Sequence, residues 1–257
     1  MDLSNKSEEE IKPIKEDNDD LLPNKPISSI QKFIAELIGT AFLVFVVTGI
    51  PVFSYDEYEY EDEEVYNGSF EAAFVLTSMI YIFGRISGAH FNPAVTIPMF
   101  LRKKITQIEC CYYIIAQIIG AFIGSIFVGL CKKGEFKYLG GNFLDDEDEE
   151  ETGWMYFSAF FIEIILTFGL VFVIFASTIK ANNFGNLNGL IIGISLYFLG
   201  IAGAKVSGGS LNPARSIAPA IIMAFKGETK PLEQLWIYII APIIGGILAG
   251  YLTIIFE

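Results

Sequence analysis

"AHFNPAVT" at residues 89–96 and "SLNPARS" at residues 210–216 place Asn-Pro-Ala twice in the chain, 120 residues apart. Asn is a strong N-cap and Pro is at home in the first helical position, so each box marks the start of a helix. Both boxes nevertheless stand among long apolar segments. A helix that begins there leaves backbone N–H groups without water, and the rest of the sequence has to supply the reason.

Composition narrows the setting. The 257 residues are 53% hydrophobic and 18% charged, with the apolar residues in long blocks, which marks an integral membrane protein rather than a soluble domain. The net charge of −13 is local: of 30 acids, eight lie in residues 1–29, seven in "YDEYEYEDEEVY" (55–66) and seven in "DDEDEEE" (145–151). Blocks of like charge repel, so residues 1–29 are expected to be a disordered acidic tail and the other two runs solvated loops, with cation capture as the alternative. Cys110, Cys111 and Cys131 show no ligand spacing, and no disulfide, metal, cofactor or nucleic-acid partner is indicated. The polar, acidic beginning of the chain is unlike a cleaved signal peptide.

Six segments, at about 30–53, 69–86, 105–131, 154–178, 187–204 and 233–256, reach the roughly 20 residues that cross a bilayer. An even number puts both termini on one side, but Lys and Arg divide almost equally between the two sides and leave the orientation open. Two apolar stretches remain, about 91–101 and 211–225, each headed by a box. At roughly 1.5 Å per residue they span about half a bilayer, so they are expected to dip in and return.

The halves repeat. "ELIGTAFLVFV" (36–46) aligns with "EIILTFGLVFV" (163–173), and "IIGAFIG" (118–124) with "IIGGILA" (243–249). Repeat one covers about 30–131 and repeat two about 154–256, each with three spans and one half-helix; the odd number of spans inverts the second repeat. The half-helices then enter from opposite faces and meet tip to tip near the midplane, each end carrying about half a positive charge. Cations are repelled there. Asn92 and Asn212 would each turn an oxygen onto their own helix and leave an amide N–H₂ for a passing water, whose hydrogens then point away on both sides, so that a proton cannot hop.

"AELIGT", "SGAHFNPAVT", "AQIIGA", "IEIILTF", "SGGSLNPARS" and "APIIGG" resemble the major intrinsic protein family, the aquaporins and glycerol facilitators, over about residues 30–256. The resemblance implies an all-α membrane protein of six transmembrane helices and two re-entrant half-helices in two inverted repeats, within a channel domain of residues 30–257. It also implies a pore in every subunit, homotetramers in the bilayer and cytoplasmic termini, which puts both acidic loops outside; the plasma membrane is the expected location. The pore boxes are then Asn92, Pro93, Ala94, Asn212, Pro213 and Ala214. Glu36 and Glu163, ionisable groups inside spans, would hold the re-entrant loops.

By the same resemblance the outer constriction has four members, which a gapless count from the boxes puts at Ala72, Gly200, Gly209 and Arg215. Water-specific members carry Phe and His at the first two positions, and glycerol facilitators Trp and Gly with an aromatic in the loop. This chain has no bulky group at any of the three beside the Arg. A slip in the count would bring in Ala73, Phe70 or Phe74. Ser216, Ala220 and Tyr238 resemble the water-specific subgroup, whereas Ile239 resembles the glycerol subgroup. Pore width is the more direct determinant, so the expectation is a passive channel for water and for small neutral solutes such as glycerol or urea, excluding protons and ions. A water-only channel is the alternative, and a weakly conducting or closed protein that adheres through its acidic loops is another. A secondary transporter would need an ionisable site at the midplane, and an enzyme a nucleophile–base constellation; the sequence offers neither near the boxes.

His90 is either a packed neutral imidazole or a pore-lining, pH-sensing group. The Gly-x-x-x-Gly pairs 120/124, 189/193 and 246/250 are expected to let spans approach closely. "NGS" at 67–69 is a glycosylation sequon in a loop expected outside, and "SEEE" at 7–10 has the composition of an acidic kinase site as well as of a solvated tail.

Overall fold

The computed structural model describes residues 26–53, 61–144, 152–179 and 184–257. Residues 1–25 of the acidic tail with "SEEE", all of the 145–151 run and the first half of the 55–66 run lie outside the described residues, as does the Asn67 side chain. Among the described residues, six helices are long and apolar enough to cross a membrane: α1 (Ser29–Phe53), α2 (Glu61–Ser87), α4 (Gln107–Cys131), α5 (Thr152–Ser177), α6 (Asn188–Ser207) and α9 (Leu235–Leu252). Two shorter helices follow the boxes, α3 (Pro93–Leu101) and α7 (Pro213–Phe225), and one turn, α8 (Lys230–Glu233), leads into α9. No strand occurs among the described residues.

Local signals set several boundaries. Thr106 accepts from the Glu109 N–H while the Glu109 carboxylate accepts from the Thr106 N–H, a capping box that starts α4. Gly208, in the left-handed region at φ 78°, ends α6. One boundary differs from the sequence expectation. α2 begins at Glu61, so the later half of the first acidic run continues the second span as helix instead of forming a loop. Glu is a good helix former, and extending an existing helix needs no new nucleation.

The long helices pack as two equivalent sets, α1 with α2 and α4, and α5 with α6 and α9, with α2 against α6 joining the sets. Gly120 and Gly124 lie against the Leu37 and Ala41 carbonyls of α1; Gly245, the counterpart of Gly120, lies against the Ile164 carbonyl of α5. A side chain at any of these would strike backbone. Gly189 and Gly193 likewise admit Tyr81 and Thr77 of α2. The third glycine pair departs from expectation in part: Gly246 receives the half-helix α3 at the Ala94 carbonyl, and Gly250 meets Pro98 of α3 as well as Phe175 of the span α5.

Both ends of the described chain share one face, the terminal face, where Arg102 and Lys104 after α3 pair with Glu257 at 2.7 and 3.4 Å and Lys32 pairs with Glu109 at 2.5 Å. Around the sides Phe42, Phe127, Phe161, Phe198 and Leu248 are all more than half exposed. An apolar belt of that extent is a surface for lipid.

Candidate pore and its selectivity region

The boxes form the centre of the molecule. Asn92 caps α3 by accepting the Ala94 N–H at 2.8 Å, and Asn212 caps α7 by accepting the Ala214 N–H at 3.0 Å. Each side-chain amide reaches across to the other loop: Asn92 Nδ2 donates to the Leu211 carbonyl at 2.7 Å and Asn212 Nδ2 to the Phe91 carbonyl at 2.9 Å. The two amides were expected to be left wholly to the pore. Instead one hydrogen of each stitches the half-helices tip to tip, and the second remains for the cavity that both residues line.

A buried carboxylate holds each loop. Glu36 accepts from the backbone N–H groups of His90 and Phe91 at 2.9 and 2.7 Å, from Ser87 Oγ at 2.6 Å and from Gln117 Nε2 at 2.8 Å. Glu163 accepts from the N–H groups of Ser210 and Leu211 at 2.7 and 2.9 Å and from Ser207 Oγ at 2.8 Å. Tyr113 and Tyr238 donate to the Ser87 and Ser207 carbonyls in equivalent fashion. The loops need this support because Ala89, Phe91 and Leu211 hold φ between 52° and 54°, a region that costs a non-glycine residue energy and persists only when its surroundings fix it.

Between the helices lies a cavity of about 100 Å³. A water needs roughly 10–15 Å³ of such space, so a short file of waters fits. One wall is apolar, with Leu76, Ile80, Leu170 and Ile192 among its residues; the other carries His90, Asn92, Asn212 and Arg215 and the backbone of both loops. No carboxylate lines it among the described residues. Arg215 donates from Nη1 to the Gly140 carbonyl at 2.9 Å, which fixes its guanidinium, while its buried Nε–H has no partner among the described residues.

The four residues expected at the constriction are not placed alike. Ala72, Gly209 and Arg215 line the cavity, and Gly200 stands beside Ser69 with its carbonyl against Gly209. Ala73 is buried against Gly193 of α6, which fixes the register of α2 with Ala72 inward. Phe70 and Phe74, about half exposed, face outward, and Tyr197 packs edge-on against Phe70 at 6.1 Å between ring centres. Ser216, Ala220 and Tyr238 are buried behind the cavity. Ser216 Oγ bonds Ser210 Oγ and donates to Asn142 Oδ1, so these residues brace the second loop and do not meet solute directly.

His90 combines both readings of it. It is buried, its Nδ1 bonds Thr96 Oγ1 at 3.1 Å and its ring meets Tyr113 edge-on, yet it lines the cavity and also a wider vestibule of about 660 Å³ that opens toward the terminal face. Sequence reasoning missed Gln117, which donates to both Glu36 and Thr96, although "AQIIGA" was in view. The signal was a lone amide inside a span, a group that must find partners there.

Comparison with known proteins matches residues 24–253 to a family model described as Major intrinsic protein. Glycerol uptake facilitator protein-like 6 of Lactiplantibacillus plantarum is 39% identical, covering 86% of this chain and 96% of the relative. Aquaporin Z of Photorhabdus laumondii is 35% identical over 86% and 95%, and Nodulin-26 of Glycine max 33% identical over 86% and 76%. The solved aquaglyceroporin of Plasmodium falciparum superposes with a TM-score of 0.77 at 22% identity, covering 88% of this chain and 96% of that one, a likeness of fold.

Proposed function

The chain belongs to the major intrinsic protein family and is a multi-pass membrane channel for water and small solutes, not an enzyme; from that premise we propose that it conducts water together with glycerol or urea while rejecting protons and ions. The observation that carries the solute range is the lining at the far end of the cavity, where Ala72 and Gly209 stand beside Arg215 and the neighbouring aromatics Phe70 and Phe74 point outward. A solute broader than water then keeps part of its hydrogen bonding, to the free Arg215 Nε–H and to the loop backbone, without stripping against a ring.

Ion rejection follows from the centre. Two capped helix N-termini converge there, each with about half a positive charge, and the guanidinium of Arg215 adds a full one. A cation meets positive potential without a lining carboxylate to offset it. A water at the boxes accepts from the remaining amide hydrogens of Asn92 and Asn212, which orients its own hydrogens outward and interrupts proton hopping. The finer features the family resemblance implies, cytoplasmic termini, homotetramers and a plasma-membrane location, are part of the same proposal.

Proteoliposome swelling tests it. Purified channel should give fast, non-saturating water flux with low activation energy, measurable glycerol or urea flux and no proton leak above empty vesicles. Water flux with both larger solutes excluded would establish the water-only alternative instead.

A further inference from the structure

We propose that Ser69, on α2, is a solute-selecting residue of the far constriction, where its side chain takes the place that Gly200 leaves empty. A side chain built at Gly200 would put its Cβ 2.9 Å from Ser69 Oγ and 3.2 Å from Ser69 Cβ. The space that a residue larger than Gly at this position would occupy is therefore filled from the neighbouring helix.

Three placements put Ser69 at the mouth, one turn beyond the lining of the cavity itself. Ala72, Leu76 and Ile80 follow one another along the cavity face of α2, and Ser69 lies one turn before Ala72 on the same face. Leu196 lines the cavity from α6, and Gly200 lies one turn beyond it toward the far side. A Cβ at Gly209 would stand 3.3 Å from the Gly200 carbonyl oxygen, so Ser69, Gly200 and Gly209 form one shelf at the mouth.

The chemistry of the hydroxyl gives the shelf a function. Ser69 is half-buried and its Oγ has no hydrogen-bond partner among the described residues. A free hydroxyl both donates and accepts, whereas the Arg215 Nε–H only donates. Together they offer a polyol or an amide two points of attachment of unlike kind. Water needs only one. Ser69 therefore raises the passage of hydroxylated or amide solutes relative to water, which deepens the solute range proposed above and rests on that reading of the mouth.

Two variants in proteoliposomes test it, each assayed with water and with glycerol. Ser69→Ala keeps the packing and removes the hydroxyl: glycerol flux should fall about fivefold, the weight of one neutral hydrogen bond, with water flux little changed. An unchanged ratio of glycerol to water overturns the proposal. Ser69→Cys, treated from the far side with a charged methanethiosulfonate, should lose most of its water flux. A channel that keeps full water flux after treatment, labelled or not, shows Ser69 to be only a packing contact between α2 and α6. If the parent protein passes water but no glycerol, the solute range falls; Ser69→Cys block would then still place Ser69 in the mouth, so the two failures are distinct.

Discussion

Repeat one and repeat two carry the same skeleton with different flesh. Both start a half-helix at Asn-Pro-Ala, cap it with the Asn oxygen, pin the preceding loop to a buried Glu and brace that loop with a Tyr hydroxyl. The lining differs. Repeat one brings His90, bonded to Thr96, to the terminal side of the centre; repeat two brings Ser210, bonded to Ser216, and Arg215 beside Gly209 to the far side. The bulk behind the loops is exchanged as well. In repeat one Gly39 makes room for Phe91, which packs edge-on against Phe83; in repeat two Leu166 replaces the glycine, Leu211 the Phe, and Gly203 makes room for Leu166. What is common holds two helix ends tip to tip, where the proposed rejection of charge resides. What differs carries the proposed choice among neutral molecules.

The strongest way to break the comparison is at the carboxylates. Glu163→Ala leaves two buried N–H groups and a hydroxyl without an acceptor, a loss of roughly 3–6 kcal/mol. The expected outcome is little or no folded channel on size-exclusion chromatography. Glu36→Ala should do at least as much harm, because one amide hydrogen of Gln117 loses its acceptor too, leaving only the bond to Thr96. A well-folded Glu163→Ala protein with normal flux would show that the second loop holds itself.

Next come the Asn residues. Asn92→Leu and Asn212→Leu each remove a cap worth about 1 kcal/mol and one cross-loop bond of similar size, so the two single variants should lower thermal stability by equal amounts, roughly 2–3 kcal/mol, and lose most flux. Unequal losses would mean that one half-helix is anchored by its carboxylate alone. Wild-type permeability in a folded double variant would sink the proposed role of the centre.

The exchanged bulk gives a finer test. Gly39→Leu forces a side chain into the Phe91 ring and should cost about 1–3 kcal/mol. Adding Phe91→Leu recreates part of the packing of repeat two and should return part of that loss, a coupling that a double-mutant cycle in thermal unfolding measures.

The smallest expected effect concerns mercurials. The three cysteines lie away from the mouth: Cys110 is buried in α4, Cys111 is exposed, and Cys131 is exposed beside Phe42 and Phe127 on the outer surface. Wild-type water flux should resist mercury. Gly209→Cys should create sensitivity at a folding cost of roughly 1–2 kcal/mol for a side chain at φ 58°, a strain that its counterpart Ala89 already carries at φ 54°. Block of the wild type that disappears on replacing Cys131 would put the mouth elsewhere.

Much of this was legible in the sequence because it is periodic or punctuated. Asn-Pro-Ala fixes a helix start, Glu-x-x-x-Thr and the Leu-Val-Phe-Val run fix the repeat, and apolar length fixes the spans. α3 and α7 begin at Pro93 and Pro213, as the boxes require. Three features were not legible, each for a physical reason. The second hydrogen-bonding direction of Asn92 and Asn212 depends on a carbonyl about 120 residues away, which no local pattern encodes. The helical start of α2 at Glu61 was hidden because a run of acids favours solvent exposure and helix alike. The filling of the space beside Gly200 by Ser69 was hidden because a count along one helix says nothing of the side chains on its neighbour.

The claim that the common skeleton rejects charge while the unlike linings choose the solute is tested most directly by Ala72→Phe, measured for water, glycerol and proton flux in the same proteoliposomes as the wild type. Ala72 lines the cavity beside Arg215 and belongs to neither half-helix. The ring should cut glycerol flux by at least about tenfold, a rise of roughly 1.4 kcal/mol in its barrier, while water flux survives and proton leak stays at the level of empty vesicles. Unchanged glycerol flux, or a proton leak that appears with the ring, would contradict the separation of the two roles.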